Sequence, residues 1–188
     1  SLVLDERCAR AAGGTFHSFA NLILRQNASK LGYDNGFTIL DRADAADILG
    51  ILRSELGYDR RGRRFPRKDT ILDLLSKRIN TRRNLEALLD EDYPQFQDEL
   101  EPLEEIARAY DARKKAQNVM DYDDLLVNLR RLLVDHPHTR QHLASTYHYQ
   151  MVDEYQDTNR LQAHIVALLA VEFVVVGTAT DRVVARAT

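Results

Sequence analysis

Apolar residues recur at three- and four-residue intervals along most of the chain, which predicts a largely helical protein. Ala45, Ile48, Leu49, Leu52 and Leu56 mark one helix that Asp41 is placed to cap. Leu125, Leu126, Leu129, Leu132 and Leu133 mark another, capped by Asp121 and running from Tyr122 to about Leu133. Further helices are expected from about Lys68 to Ile79, from Thr81 to Leu89 and from Leu103 to Ala116. In the last, Ile106, Ala109, Tyr110 and Arg113 form the packed side, while Glu104, Glu105 and Arg108 stay wet. Towards the start, Leu2 to Ala12 reads as a helix that stops at Gly13 and Gly14. Thr15 to Ser18 then reads as a strand or turn, with Ser18 capping a helix from Phe19 to about Leu31. Phe37 to Leu40 reads as a brief extended piece. The pattern changes in two places: Tyr147 to Val152 and Glu172 to Gly177 are short runs of strand type, the second valine-rich as in buried parallel sheets. Leu161, Ile165, Val166, Leu168 and Leu169 form an amphipathic helix between them, and strand, helix and strand in that order predict a crossover unit. The expected class is mainly α with a small α/β part.

The first of these strands runs into Asp153, Glu154, Tyr155, Gln156, Asp157, Thr158 and Asn159. Three carboxylates within five residues repel one another and are most easily tolerated where a cation or strong donors compensate. At the C-terminal edge of a parallel sheet such acids can hold Mg2+ and orient an attacking water, as phosphoryl transfer from a nucleotide requires. An Asp-Glu pair at a strand end is also commonly just solvated. A metal-dependent phosphohydrolase built on Asp153, Glu154 and Asp157 would need ligands from several segments, and no second convincing acidic cluster joins them. Asp121, Asp123 and Asp124 sit at a helix N-terminus, where the helix dipole accounts for them without a metal. His136, His138 and His142 make a weak zinc pattern that no cysteine or well-spaced carboxylate completes.

The longer string DEYQDTN after an apolar strand resembles the Walker B motif of the UvrD/Rep family of superfamily 1 DNA helicases. Gly14, Thr15, Phe16, His17, Ser18 and Phe19 resemble that family's GTFHS motif, and Met120 to Leu126 resemble its DFDDLL motif. The three occur in the family's order, and the resemblance extends from about Gly14 to about Gly177. It implies part of a RecA-like, P-loop NTPase parallel sheet carrying a helical insertion domain. Residues 1–32 and 121–188 would belong to motor domain 1A, and 33–120 to the insertion, 1B. It further implies ATP and Mg2+ as cofactors. Asp153 would anchor the metal, Glu154 would polarise the attacking water, and Gln156 and Asp157 would link nucleotide state to neighbouring motifs. Thr15, Phe16 and His17 would lie on the floor of the single-strand groove, where stacking a ring on a base is worth roughly 1 to 3 kcal/mol. The plainer reading makes Phe16 and Phe19 core and His17 a satisfied neighbour. The implied activity is translocation on single-stranded DNA, 3'-to-5', with duplex unwinding. The implied partners are single-stranded and forked DNA together with repair or replication proteins, and the implied setting is the bacterial cytoplasm and nucleoid.

Composition adjusts this picture. A chain of 188 residues with 44% hydrophobic content can bury a core, and no stretch approaches the roughly 20 apolar residues of a membrane span. The single Cys8 excludes an internal disulfide framework, which fits a reducing compartment. A net charge of -3 argues against wholesale polyanion binding, but the charge is uneven. Arg60, Arg61, Arg63, Arg64, Arg67 and Lys68 fall within nine residues, whereas Asp90 to Glu105 holds eight acids and no base. A charge run is usually a solvated surface; in the family this region faces the duplex, so Arg60, Arg61, Arg63 and Arg64 are candidate phosphate contacts.

Two departures limit the resemblance. No GxxxxGK[ST] phosphate loop occurs in the 188 residues. After Gly177 the family would show GDDDQSIYGFRGA or close to it; here Asp181 stands for the glutamine and Val184 for the tyrosine. With Ser1 as first residue, these features suggest a helicase fragment without ATPase activity of its own. The alternative is a nucleic-acid-binding or protein-interaction module that has shed catalysis.

Overall fold

Helix caps set most of the element boundaries. The computed structural model describes residues 14–59, 65–147, 149–153, 158–170, 172–176 and 184–186, so the helix expected over Leu2 to Ala12 lies outside them. The first helix, α1, spans Phe16–Asn27. Its cap is Thr15 and not Ser18: the Thr15 backbone is extended, its hydroxyl accepts from the Ser18 amide at 3.2 Å, and the Ser18 hydroxyl donates to the Thr15 carbonyl at 2.9 Å. The helix therefore begins three residues earlier than the sequence pattern suggested, and Phe16 and Phe19 pack half-buried against the core.

A short strand β1, Thr38–Ile39, leads to α2, Arg42–Glu55, where Asp41 accepts from the Asp44 amide at 2.8 Å. The third helix, α3, spans Lys68–Thr81 and leaves the helical path at Arg82, whose φ is +56°. The following helix, α4, is consequently Leu85–Asp92 with Asn84 as its cap, and does not start at Thr81. The next, α5, spans Leu100–Ala116, three residues longer at its start than expected. Pro102 falls in its first turn, where a missing N–H costs nothing. Then come β2 (Val119–Met120), α6 (Tyr122–Asp135), α7 (Pro137–Thr146), β3 (Tyr149–Asp153), α8 (Arg160–Leu169), β4 (Glu172–Val176) and β5 (Val184–Arg186).

Two sheets order the described residues. In one, β1 and β2 run parallel with Thr38 opposite Val119 and Ile39 opposite Met120, and the Leu40 amide donates to the Met120 carbonyl at 2.8 Å. The long helical segment thus leaves and re-enters through one two-residue ladder. Asn118, at φ +53°, makes the turn into it and accepts from the Asp34 amide at 2.9 Å through its side chain, a conformation asparagine tolerates well. In the other sheet, β3 and β4 are parallel from Tyr149 opposite Glu172 to Asp153 opposite Val176, with β5 antiparallel on β4. A first core joins α1, α6 and α8 through Ile23, Leu24, Leu125, Leu129, Leu132 and Ile165. A second joins α2 to α5 through Leu49, Ile71, Leu74, Leu89, Leu103 and Ile106.

Lys114 lies between the two cores. Its side chain is 3% exposed and its ammonium reaches Asp121 Oδ2 at 2.8 Å and Asp124 Oδ2 at 2.7 Å, while the Tyr110 hydroxyl donates to Asp121 at 2.9 Å. The packed side of α5 therefore runs through Tyr110 to Lys114. Arg113, expected on the packed side, is half-buried at its edge and pairs with Glu55 of α2 at 2.5 Å. Asp121 and Asp124 also form a capping box for α6, so the two acids serve the helix terminus and the lysine together. Burial lowers the Lys114 pKa, but Asp124 and Asp121 outweigh it and the net shift is upward. Burial is also the first cause at Asp124, held at about 6 against an ordinary 3.8; the Asp121 charge raises it further and the Lys114 ammonium offsets only part of this.

A raised carboxyl pKa contributes stability that is fully present below 3.8 and lost as the pH rises through about 6. K114M should cost about 3 to 5 kcal/mol in urea unfolding near neutrality, since it strands two buried carboxylates. That cost should shrink when the same measurement is made in mild acid, where one of the acids takes up a proton.

Candidate functional site

The acidic motif is held at both ends. Asp153 is the last residue of β3, beside Val176 at the C-terminal edge of the parallel pair. Six residues on, Asn159 caps α8: its side chain accepts from the Gln162 amide at 2.9 Å, and Gln162 Oε1 accepts from the Asn159 amide at 3.0 Å. Glu154, Gln156 and Asp157 lie between these anchors, outside the described residues. What the structure establishes is the frame: a strand end on one side and the positive end of a helix on the other, the setting in which oxygen ligands and phosphate groups are held.

A polar relay ties this frame to the helical segment. The Asn159 side-chain amide donates to Asn80 Oδ1 at 2.7 Å, and the Asn80 amide donates to Asp123 Oδ1 at 3.1 Å and to the Ser76 carbonyl at 3.0 Å. Asn80 belongs to α3, Asp123 to the first turn of α6, and Asn159 to the entry of α8. One asparagine thus spans the DYDDLL stretch and the residue that closes the DEYQDTN stretch. Sequence reading passed over Asn80, which sits in a polar helix end, Ser76 to Thr81, and carries no signal of its own.

The other two motifs also meet. His17 stands edge-on to Tyr122, with ring centroids 5.7 Å apart at 87°, and Tyr122 is 52% exposed. Phe16 is half-buried, and Phe19 packs edge-on against Tyr147 at 5.1 Å. Thr15 is spent on its capping bond, which leaves the His17 and Tyr122 rings as the aromatic surface at this corner. Arg60, Arg61, Arg63 and Arg64 fall outside the described residues, but the base of their loop is fixed by Tyr58 stacked on Phe65, 4.9 Å apart at 19°. His138 and His142 line a groove of about 590 Å3 between α1 and α7, in which Lys30 donates to Thr139 at 2.7 Å and Asn27 at 2.8 Å.

A family model described as the UvrD/REP helicase N-terminal domain matches residues 2–180. The chain is similar to the ATP-dependent DNA helicase PcrA of Leuconostoc citreum, 33% identical over 158 residues that cover 83% of this chain and 20% of that protein. It is also similar to the ATP-dependent DNA helicase PcrA of Staphylococcus epidermidis, 29% identical over 162 residues covering 85% and 21%. The same protein of Staphylococcus aureus is 27% identical over 160 residues, with the same coverage. The chain thus spans about a fifth of the length of the curated relatives it matches.

Removing the relay should loosen the motif from the helical segment. N80A is expected to cost about 1 to 2 kcal/mol, for the lost hydrogen bonds to Asn159, Asp123 and Ser76 and the donor and acceptors left unpaired. It should also raise amide hydrogen exchange at Asn159 to Gln162 before the rest of α8. N80D places a carboxylate against Asp123 and should be worse. The pair N80D/D123N restores a donor opposite an acceptor and should recover most of the protection.

Proposed function

Because the chain belongs to the UvrD/Rep helicase family, matching its N-terminal domain, we propose that it forms part of the first motor domain, with the helical insertion, of an ATP-dependent DNA helicase. The observation that carries this reading is the placement of Asp153 at the C-terminal end of β3, with a capped helix following the acidic stretch. Residues 1–32 and 121–188 are assigned to motor domain 1A and 33–120 to the insertion, 1B; the separate cores of α1, α6 and α8 and of α2 to α5 support that division.

Two adjacent carboxylates and a third at Asp157 form a hard oxygen donor set that suits Mg2+. With ATP bound, that metal would neutralise charge developing on the γ-phosphate. Asp153 holds the cation, Glu154 orients the water and takes its proton, and Gln156 and Asp157 pass nucleotide state to neighbouring elements. Thr15, Phe16 and His17 meet single-stranded DNA, and the loop of Arg60, Arg61, Arg63 and Arg64 meets the duplex ahead of the junction. Movement is assigned 3'-to-5', in repair or replication at the nucleoid. No helix among the described residues is long and apolar enough to cross a membrane. With no phosphate loop in the 188 residues, the chain alone is assigned no ATP turnover.

The test is a salt series of binding to fluorescent single-stranded and forked DNA. The chain should bind both at low salt, and the fork better. R60A/R61A/R63A/R64A should weaken fork binding and lower the log-log salt slope by about 3 to 4. Mn2+ should broaden resonances around the β3 end in the unmodified chain and not in D153A. Absence of DNA binding at low salt, or ATP turnover that E154Q leaves intact, would overturn the reading.

A further inference from the structure

Three guanidinium groups converge on a groove that no motif accounts for. Arg78 and Arg82 come from the end of α3 and Arg130 from α6, around a groove of about 280 Å3 floored by Ile79, Val127 and Leu161. Arg83 lines the groove as well, but it is already bound to Glu91 at 2.7 Å and Asp92 at 2.8 Å, which leaves Arg78, Arg82 and Arg130 as its uncompensated cations. Among the described residues Arg78 and Arg82 have no acid or hydrogen-bond acceptor in reach, and Arg130 has only His164, to whose Nδ1 its Nε donates at 3.1 Å. Arg130 lines the groove, and that bond uses only its Nε. The charge is felt locally: burial, then Arg130 and Arg82, hold the His164 pKa below the ordinary imidazole value. Arg82 also occupies the left-handed C-cap position that glycine usually fills, so the fold keeps an arginine where a residue without a side chain would be less strained.

We propose that this groove binds the phosphodiester backbone of a DNA strand, with Arg78, Arg82 and Arg130 each directed to phosphate oxygens. A guanidinium fork matches a phosphate in two parallel hydrogen bonds, and the apolar floor suits the sugar edge between phosphates. The inference rests on the reading of the chain as a DNA-handling protein. It adds a contact apart from the Thr15 to His17 corner and the Arg60 to Arg64 loop. The groove lies beside Asn80, so a strand seated in it would touch the junction where the helical segment meets the acidic motif.

The experiment is binding of a short oligothymidylate to the 188-residue chain by fluorescence anisotropy across a salt series. It is read alongside the His164 ring resonance, which reports on the groove through its hydrogen bond to Arg130. R78Q/R82Q/R130Q is compared with R78Q/R82Q, which keeps the packed Arg130 and guards against misfolding; unfolding curves verify both. The expected result is a shift of the His164 resonance on adding oligonucleotide, about tenfold weaker binding in the triple variant and a salt slope reduced by about 2. The double variant should fall between. Oligonucleotide binding that neither variant changes, with a still His164 resonance, overturns the groove and leaves the helicase reading standing. Displacement of the reporter shift by polyglutamate but not by oligonucleotide would make it an acidic-peptide site and also overturn it. No oligonucleotide binding by the unmodified chain overturns both readings together.

Discussion

Lys114 enters the boundary between the two cores from the last turn of α5, and at 3% exposure its ammonium has no water shell to fall back on, so both Asp121 and Asp124 must be in place for the chain to fold as it does. Those acids are also the capping box of α6, so the start of the helix that organises the first core and the end of the helix that closes the second share the same two side chains. Two hydrophobic clusters are non-directional and could slide against each other. A charge shared among three side chains at 2.7 to 2.8 Å has only one arrangement in which it is satisfied. The polar junction therefore contributes register more than net stability, which burial supplies on either side.

The Asn80 relay extends the same logic from the junction to the acidic motif. Its bonds cross between elements far apart in sequence, 79 residues in the case of Asn80 and Asn159. Each bond is weak alone. In series they make the position of the α8 cap depend on where α3 lies, and α3 belongs to the other core. The motif that would carry the chemistry thus has one end fixed by sheet pairing and the other by a side chain from the helical segment.

What could be read from sequence was what is local. Asp41 and Asp121 cap their helices as expected, and the strands at Asp153 and Val176 fall within two residues of the expected places, because caps and short-period patterns are properties of neighbouring residues. The misreadings are also local in cause. Thr15 and Ser18 are both good caps, and the choice was made by Phe16 and Phe19 seeking the core. On α5 the packed side was read through Arg113, which is half-buried, but its continuation to the fully buried Lys114 was missed, although a lysine on an apolar stripe ahead of two aspartates was in plain view. The arginine groove had no linear signature, since Arg78, Arg82 and Arg130 meet only through packing of α3 on α6. Of the site, the motifs were legible as strings and their anchoring was not, because the anchor Asn80 belongs to no motif.

The ladder between β1 and β2 has a consequence for how such a chain can change. Leu40 and Met120 are joined by a hydrogen bond, so the chain between them leaves and returns at one point and closes a loop there. The entropy of closing a loop grows with the logarithm of its length, about 0.6 kcal/mol for each doubling. Helices can therefore be added to or removed from that segment at a cost smaller than one buried methylene. The two aspartates that restart the helices after each strand, the lysine that returns to meet the second of them, and Asn80, which meets the α8 cap, are held to their places.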